Sequence, residues 1–381
     1  MYFEAATLHF LHLSTAYLTT TMGMIKIVVA GILALPALLI LVITAPLVAL
    51  LAIPSLFLLC YSTLEGKTSD TPIVAQVNTH AIISGGSSGI GLSIAQECVE
   101  RGFSKVTILA RNKSKLEEAQ KQLEKSKTNL KTVISYRAVD VSDASSLKEA
   151  AKDLLGKEKN PNQTVHLFCC AGVAHPSKLE NVSSDTFAKC VQTNQLGAIY
   201  TVQAFLPLMA NGTIVFTSSI VGQVGFFGYT SYAPTKFALR GFAEALHAEL
   251  ADQPSVNVQV AFPPDTDTPG FEEENKLKPK VTKLISEQGG LASPKDVAQK
   301  MVKEAVKPNP PFLVYFSFEG WMLAALTAGM SPVSTLGDAV TQVACMSLFR
   351  FVSLFYLNDW WRMIRLHNTK EDTAEKDCKS D

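Results

Sequence analysis

Apolar and polar positions along the chain fall into three regimes. From Ile27 to Cys60 no charged residue occurs. A helix of that length would extend about 51 Å, against a hydrocarbon core of about 30 Å. The run is expected to anchor the protein in a membrane rather than be cleaved as a leader. The apolar part of a leader is only about 7 to 15 residues and stands nearer the start. Pro36, Pro46 and Pro54 interrupt the run, so one kinked helix and a re-entrant or two-helix hairpin both stay open. Residues 1–22 are weakly apolar and gain no function. The N-terminal segment is drawn as 1–64, with the anchor at about 27–60 and a polar linker over 65–77.

The second regime alternates short apolar runs with stretches of helical period. The runs fall at 79–83, 105–110, 132–139, 164–170, 212–218, 256–262 and 312–316. Such alternation predicts an α/β domain over 78–316: a doubly wound, seven-stranded parallel sheet of Rossmann type. The third regime, 317–368, is apolar again but carries Asp338 and Arg350. A span would take those charges into hydrocarbon at about 2.5–3.5 kcal/mol each. An interfacial or re-entrant segment is therefore expected, lying beside the substrate opening, with Trp360, Trp361, Arg362 and Arg365 in the headgroup layer. The plainer alternative is a cover for the sheet or a dimer face. The charged tail, 369–381, is expected to fray.

Charge and cysteines narrow the function classes. Thirty-four basic residues balance thirty-four acidic ones with no basic block, so nucleic acid is not an expected partner. The seven cysteines are scattered without C-x-x-C spacing and read as reduced, packed thiols; no metal is expected.

Candidate chemistry begins after the first run, at Ser84-Gly85-Gly86-Ser87-Ser88-Gly89-Ile90-Gly91. Glycines there let the backbone approach a pyrophosphate, and the following helix start offers free N–H groups. Ser87 and Ser88 add hydroxyl donors. The second strand ends in Ala110-Arg111-Asn112-Lys113-Ser114-Lys115, with no acid. Arg111 and Lys115 suit a 2′-phosphate, pointing to NADPH rather than NADH. Asp140-Val141 ends the third strand where an acid would accept from an adenine amino group.

Ser219 follows the fifth strand, and Tyr232 comes thirteen residues later, four before Lys236. That gap puts Tyr232 and Lys236 on one helix face. A free phenol, pKa about 10, is a poor acid–base group at neutral pH, and a neighbouring ammonium lowers that value. Ser219 would donate to a carbonyl oxygen as charge develops on it.

Together the glycine pattern, Asn194, Ser219, Tyr232 and Lys236 resemble the short-chain dehydrogenase/reductase family over about 78–316. The resemblance implies that Asn194 positions a proton-relay water toward Lys236. It also implies that Ala171 and Gly172 flank the cofactor, and that Thr268 meets the carboxamide. Two positions depart: Cys170 replaces the usual Asn, and Pro263-Pro264 the usual Pro-Gly. The stretches Pro263 to Phe271 and Gly225 to Tyr229, with the apolar C-terminal segment, resemble the branch that reduces the 3-keto group of long-chain sphingoid bases. That branch implies an endoplasmic-reticulum membrane, a catalytic domain facing the cytosol, and a lipid-soluble substrate whose amine Asp265, Asp267 or Glu272, Glu273 and Glu274 would meet. Sequons at Asn112, Asn162, Asn181 and Asn211 are then expected to stay unglycosylated. By family analogy the helices after Asn194 and Tyr232 would form a homo-oligomer face. The rivals are a microsomal hydroxysteroid or retinol dehydrogenase and a catalytically silent membrane scaffold or NADPH sensor.

Overall fold

The computed structural model describes residues 78–378, with side chains through 367. The expected anchor, the linker over 65–77 and residues 1–22 lie outside the described residues. Seven parallel strands form one sheet: β1 Thr79–Ser84, β2 Lys105–Ala110, β3 Val133–Ala138, β4 Thr164–Cys169, β5 Asn211–Thr217, β6 Val256–Ala261 and β7 Leu313–Val314. Their order is β3-β2-β1-β4-β5-β6-β7, so the winding direction reverses between β1 and β4. A crevice opens at the carboxyl ends of strands where such a reversal occurs.

The period-two alternation of each strand feeds two cores. Ile82, Leu167, Ile214, Phe216 and Val260 point to one face, where α3 Ala144–Leu155, α5 Gly197–Phe205 and α6 Ala233–Glu249 pack. Ala81, Ile83, Phe168, Val215 and Ala261 point to the other, covered by α1 Gly89–Glu100, α2 Lys113–Lys125 and α9 Pro294–Ala305. Burial on both faces explains why these strands read as continuous apolar runs. Between β4 and α5 the chain forms α4 Ser184–Cys190 and then one π-turn, Val191–Leu196. Beyond β6 come α7 Pro269–Leu277 and α8 Lys280–Glu287.

The C-terminal extension folds as α10 Phe318–Leu326 and α11 Leu336–Cys378. It is fastened to α6 by Arg240, which donates from Nη2 to the Ala328 carbonyl at 2.6 Å and to Ser331 Oγ at 2.7 Å, and from Nη1 to Thr327 Oγ1 at 3.2 Å. Trp321 and Phe349 meet edge-to-face with centroids 5.1 Å apart. Trp321, Ala324 and Ala325 are buried, in keeping with the alternative in which this segment covers the body of the domain, and α11 runs to Cys378. Cys98, Cys169, Cys170, Cys190 and Cys345 are free thiols.

Two histidines in the sheet core set an acid limit on the fold. His80 Nε2 lies 2.8 Å from Thr107 Oγ1, and His166, beside Phe103, has no hydrogen-bond partner on either nitrogen. Burial lowers His166 to about 4, and burial followed by Lys105 lowers His80 to about 3. The unfolded chain therefore binds more protons than the native one below about pH 6.5, and stability falls as pH drops through that range. His166→Leu is expected to flatten the dependence of Tm on pH between about 6.5 and 4. An unchanged slope would show that His166 is not one of the groups responsible.

Candidate active site

Six strand ends, those of β1 to β6, border one cleft of about 850 Å³. After β1, Gly85 and Gly89 take φ of +71° and +55°, a region that side chains disfavour. A Cβ on Gly85 would stand 2.8 Å from the Ala171 nitrogen, and one on Gly91 would stand 2.4 Å from the Gly85 carbonyl oxygen. Ser88 caps α1 without using its side chain. Ser87, Ser88 and Ile90 line the cleft, as do Gly85, Gly89 and Gly91. The result is a bare backbone cradle at a helix N-terminus, the shape that suits a phosphate.

At the end of β2, Arg111 and Lys115 line the cleft. Asn112 does structural work instead, accepting from the Lys115 N–H at 3.1 Å to cap α2. Asp140 stands at the rim: its Oδ1 accepts from the Ser142 N–H and hydroxyl at 2.9 and 2.8 Å, and its Oδ2 lies 3.9 Å from Arg111. The cleft wall beside it is Val139 and Val141.

After β4, Ser84 Oγ accepts from the Cys170 N–H at 3.2 Å and the Ala171 N–H at 3.5 Å, and Ala171 and Gly172 face the cleft. Cys170 accepts from the Thr217 hydroxyl at 3.1 Å, and burial pushes its thiol up to about 11. The substituted position is thus a neutral, packed group.

Tyr232 is the N-cap of α6, and Lys236 lies one turn on. Lys236 Nζ donates to the Thr217 carbonyl at 2.8 Å and sits 5.4 Å from the centre of the Tyr232 ring. Burial lowers its pKa to about 8. Ser219 begins the short turn Ile220–Gly222 and hydrogen-bonds the Tyr232 phenol. Burial pushes that phenol well above its ordinary value, Glu274 and Asp265 push it further, and the Ser219 bond opposes them. Thr268 packs against Gly89 and caps α7, accepting from the Phe271 N–H at 3.1 Å.

Asn194 sits in the π-turn, behind the cleft wall and 1% exposed. Its Oδ1 accepts from the Val173 N–H at 2.7 Å, and its amide donates to the Val173 carbonyl at 2.9 Å and Thr235 Oγ1 at 3.1 Å. A Cβ on Gly172 would lie 3.3 Å from Asn194 Oδ1 and 3.5 Å from Lys236 Nζ. Asn194 and Lys236 therefore meet across Gly172.

Two residues at this site, Tyr229 and Lys278, were given no role from the sequence. Tyr229 packs 5.8 Å from Tyr232 between ring centres and donates to Glu274. Lys278, fully buried, lies behind Glu274 and Asp265. The repeat of tyrosine at a three-residue spacing was the one available hint of Tyr229; a buried lysine outside any motif offered none.

A family profile described as short chain dehydrogenase matches residues 79–278. The chain belongs to this family, and is a nicotinamide-dependent oxidoreductase acting on a carbonyl or alcohol. A 3-dehydrosphinganine reductase of Danio rerio is 44% identical over 75% of this chain and 85% of its own length. A 3-ketodihydrosphingosine reductase of Bos taurus is 40% identical over 86% of this chain and 99% of its own. A Dictyostelium discoideum protein of the latter name is 33% identical over 66% and 79%.

The cradle yields a direct test. Gly91→Ala forces a methyl onto backbone that cannot move aside, and overpacking of this kind typically costs about 1–3 kcal/mol. Nucleotide affinity, followed by fluorescence titration, is expected to fall about ten- to a hundredfold. Wild-type affinity would show that the glycine approach does not shape the nucleotide site.

Proposed function

We propose that this chain reduces the 3-keto group of 3-ketodihydrosphingosine to the alcohol with NADPH, at the endoplasmic-reticulum membrane with its catalytic domain toward the cytosol. The observation that carries the chemistry is the Ser219–Tyr232–Lys236 cluster, with Lys236 buried, facing the same cleft as the glycine cradle. The substrate reading is supported by the relatives' names and by matches that cover 75% and 86% of this chain.

The residues fit the cofactor. Gly85, Ser87, Ser88, Gly89, Ile90 and Gly91 would hold the pyrophosphate, Val141 the adenine side, and Ala171, Gly172 and Thr268 the nicotinamide side. Asp140, tied to Ser142 and near Arg111, would orient the arginine as readily as meet adenine. Arg111 and Lys115, with no acid at the end of β2, favour a 2′-phosphate over a free 2′-hydroxyl. When bound, the nicotinamide supplies the hydride that reaches the carbonyl carbon.

Tyr232 delivers the matching proton to the carbonyl oxygen, so ketone, hydride and proton balance as the alcohol. Burial, followed by Glu274 and Asp265, raises the phenol against the lowering expected from Lys236, so Tyr232 stands as the protonated donor when charge develops on that oxygen. Ser219 donates to the same oxygen. Lys236 steadies the phenolate left behind and holds the ribose, while Asn194, locked on Val173 and Thr235, fixes the wall through which Lys236 is resupplied with protons.

A bilayer as the source of substrate is supported by α11. Among the described residues it alone is long and apolar enough to cross a membrane, over Leu336–His367. Cys345, Phe349 and Ser353 face the protein, while Val340, Val343, Phe351, Leu354 and Phe355 face outward. Trp360 Nε1 donates to Gln288 Oε1 at 3.1 Å and its ring lies 4.7 Å from Phe226. The apolar helix thus reaches the end of α8 and the loop leading to Tyr229. Residues 317–368 act here as the membrane-associated segment, 78–316 as the reductase domain, and 27–60 as the anchor.

Purified protein is expected to oxidise NADPH with 3-ketodihydrosphingosine and to give little turnover across steroid and retinoid panels. Tyr232→Phe should remove nearly all turnover and spare NADPH binding, because the ring still packs while the proton is gone. Preference for a steroid or retinoid, or an active Tyr232→Phe enzyme, would overturn the substrate or the mechanism respectively.

Arg111→Asp is expected to weaken NADPH far more than NADH, since it removes a charge partner and adds repulsion against the 2′-phosphate. Equal losses in the two binding titrations would show that Arg111 does not read the phosphate.

A further inference from the structure

The acids around the substrate end of the cleft are not equivalent. Glu273 and Lys276 line the cleft but pair with each other at its solvent edge, both more than half exposed. Glu272 and Asp267 are exposed and do not line the cleft. Glu274 and Asp265 do line it. Glu274 is 15% exposed, accepts from the Tyr229 hydroxyl, and lies 3.2 Å from Lys278 Nζ. Asp265 lies 3.6 Å from the same ammonium and accepts from Ser286 Oγ.

Lys278 is 0% exposed, donates to Ser286 Oγ at 3.1 Å, and stands 4.1 Å from the Phe271 ring centre. It is sealed behind the carboxylates and does not line the cleft. Two carboxylates therefore face one buried ammonium; burial raises the Glu274 carboxyl and Lys278 opposes that rise, so a cation arriving from the substrate side meets a second carboxylate that Lys278 alone does not neutralise. A buried charge surplus is unfavourable unless something cationic meets it.

That surplus lies beside the reacting group. Tyr229 bridges Glu274 to Tyr232, its ring centre 5.8 Å from that of Tyr232, and both carboxylates raise the Tyr232 phenol. In a 2-amino-3-ketone the ammonium and the carbonyl oxygen are on adjacent carbons. An oxygen held by Tyr232 and Ser219 thus brings the ammonium to the same wall.

We propose that Glu274, held by Tyr229 and backed by Lys278 and Asp265, recognises the ammonium beside the ketone and selects amino ketones over neutral ketones of the same length. The assignment rests on the reading of this chain as a sphingoid-ketone reductase. Lys278 keeps the two carboxylates together without neutralising both, and Tyr229 fixes the Glu274 oxygen next to the phenol. The contact is a charge-assisted hydrogen bond to a carboxylate that is only 15% exposed, where such bonds are stronger than in water.

The test compares 3-ketodihydrosphingosine with its analogue carrying a hydroxyl in place of the amine, on the full chain with NADPH. Wild-type kcat/KM is expected to favour the amine by about tenfold or more, mostly through KM. In Glu274→Gln that ratio is expected to collapse toward one, because the amide keeps the shape and loses the charge. A wild-type enzyme indifferent to the amine would overturn the assignment without any variant. So would a Glu274→Gln enzyme that loses activity on both ketones in equal proportion. The reading on which the assignment rests fails differently: the wild type would then turn over neither long-chain ketone.

Discussion

The burial of one ammonium governs the architecture of the site. Lys236 is 4% exposed, and its Nζ is held by a main-chain carbonyl, that of Thr217 at the end of β5. To bring α6 that close to β5, Ser218 donates its hydroxyl to the Lys236 carbonyl at 2.9 Å. Gly222 must then lack a side chain, since a Cβ there would stand 2.3 Å from Ser218 Oγ. On the opposite side Gly172 leaves room for Nζ. Desolvation brings the ammonium to about 8, within reach of proton exchange near neutral pH. The spacing of Tyr232 from Lys236, the turn after Ser219 and the small residues after β4 all follow from accommodating that charge.

The sheet was almost wholly legible because strands buried on both faces are apolar throughout and are separated by helices of clear period. The motif residues were legible for a related reason: glycines that admit a pyrophosphate, and a tyrosine and lysine one helical turn apart, are constrained within short stretches of sequence. What could not be read is set by contacts distant in the chain. Asn194 turns inward because a π-turn interrupts the helix and because Val173, twenty-one residues earlier, supplies both partners for its amide. Thr235, forty-one residues later, completes it. Neither partner has a signature. The same holds for Arg240, whose position on α6 announces nothing of the C-terminal connection it fastens.

The two charged walls of the cleft face different tasks and are built differently. At the nucleotide end, Arg111 is 59% exposed, so a ligand phosphate must compete only with water and the rim carboxylate of Asp140. At the substrate end the charges are packed among Tyr229, Phe271 and Ser286, where water screens little. A solvated arginine suits a cofactor that exchanges in every cycle. A carboxylate largely packed in protein suits discrimination between substrates, because a partner without a matching charge leaves it unpaired.

Under the proposed membrane association, packing bears on how α11 would meet lipid. A helix surrounded by hydrocarbon has no use for an inward face, yet Cys345, Phe349 and Ser353 form one along successive turns, with Trp321 from α10 set against it. Arg350 lies on the outward face between Val343 and Phe351. A transmembrane placement would strip the body from the first face and bury the charge on the second. A helix lying along the bilayer surface keeps both: the inner face stays on α10, the outer apolar residues enter the acyl boundary, and the arginine side chain extends to the headgroups. In that orientation Trp360, at the far end of the same helix, remains in contact with Gln288 and Phe226. Lipid contact and the substrate loops then share one rigid element, which is the arrangement a reductase needs if its ketone arrives from within a membrane.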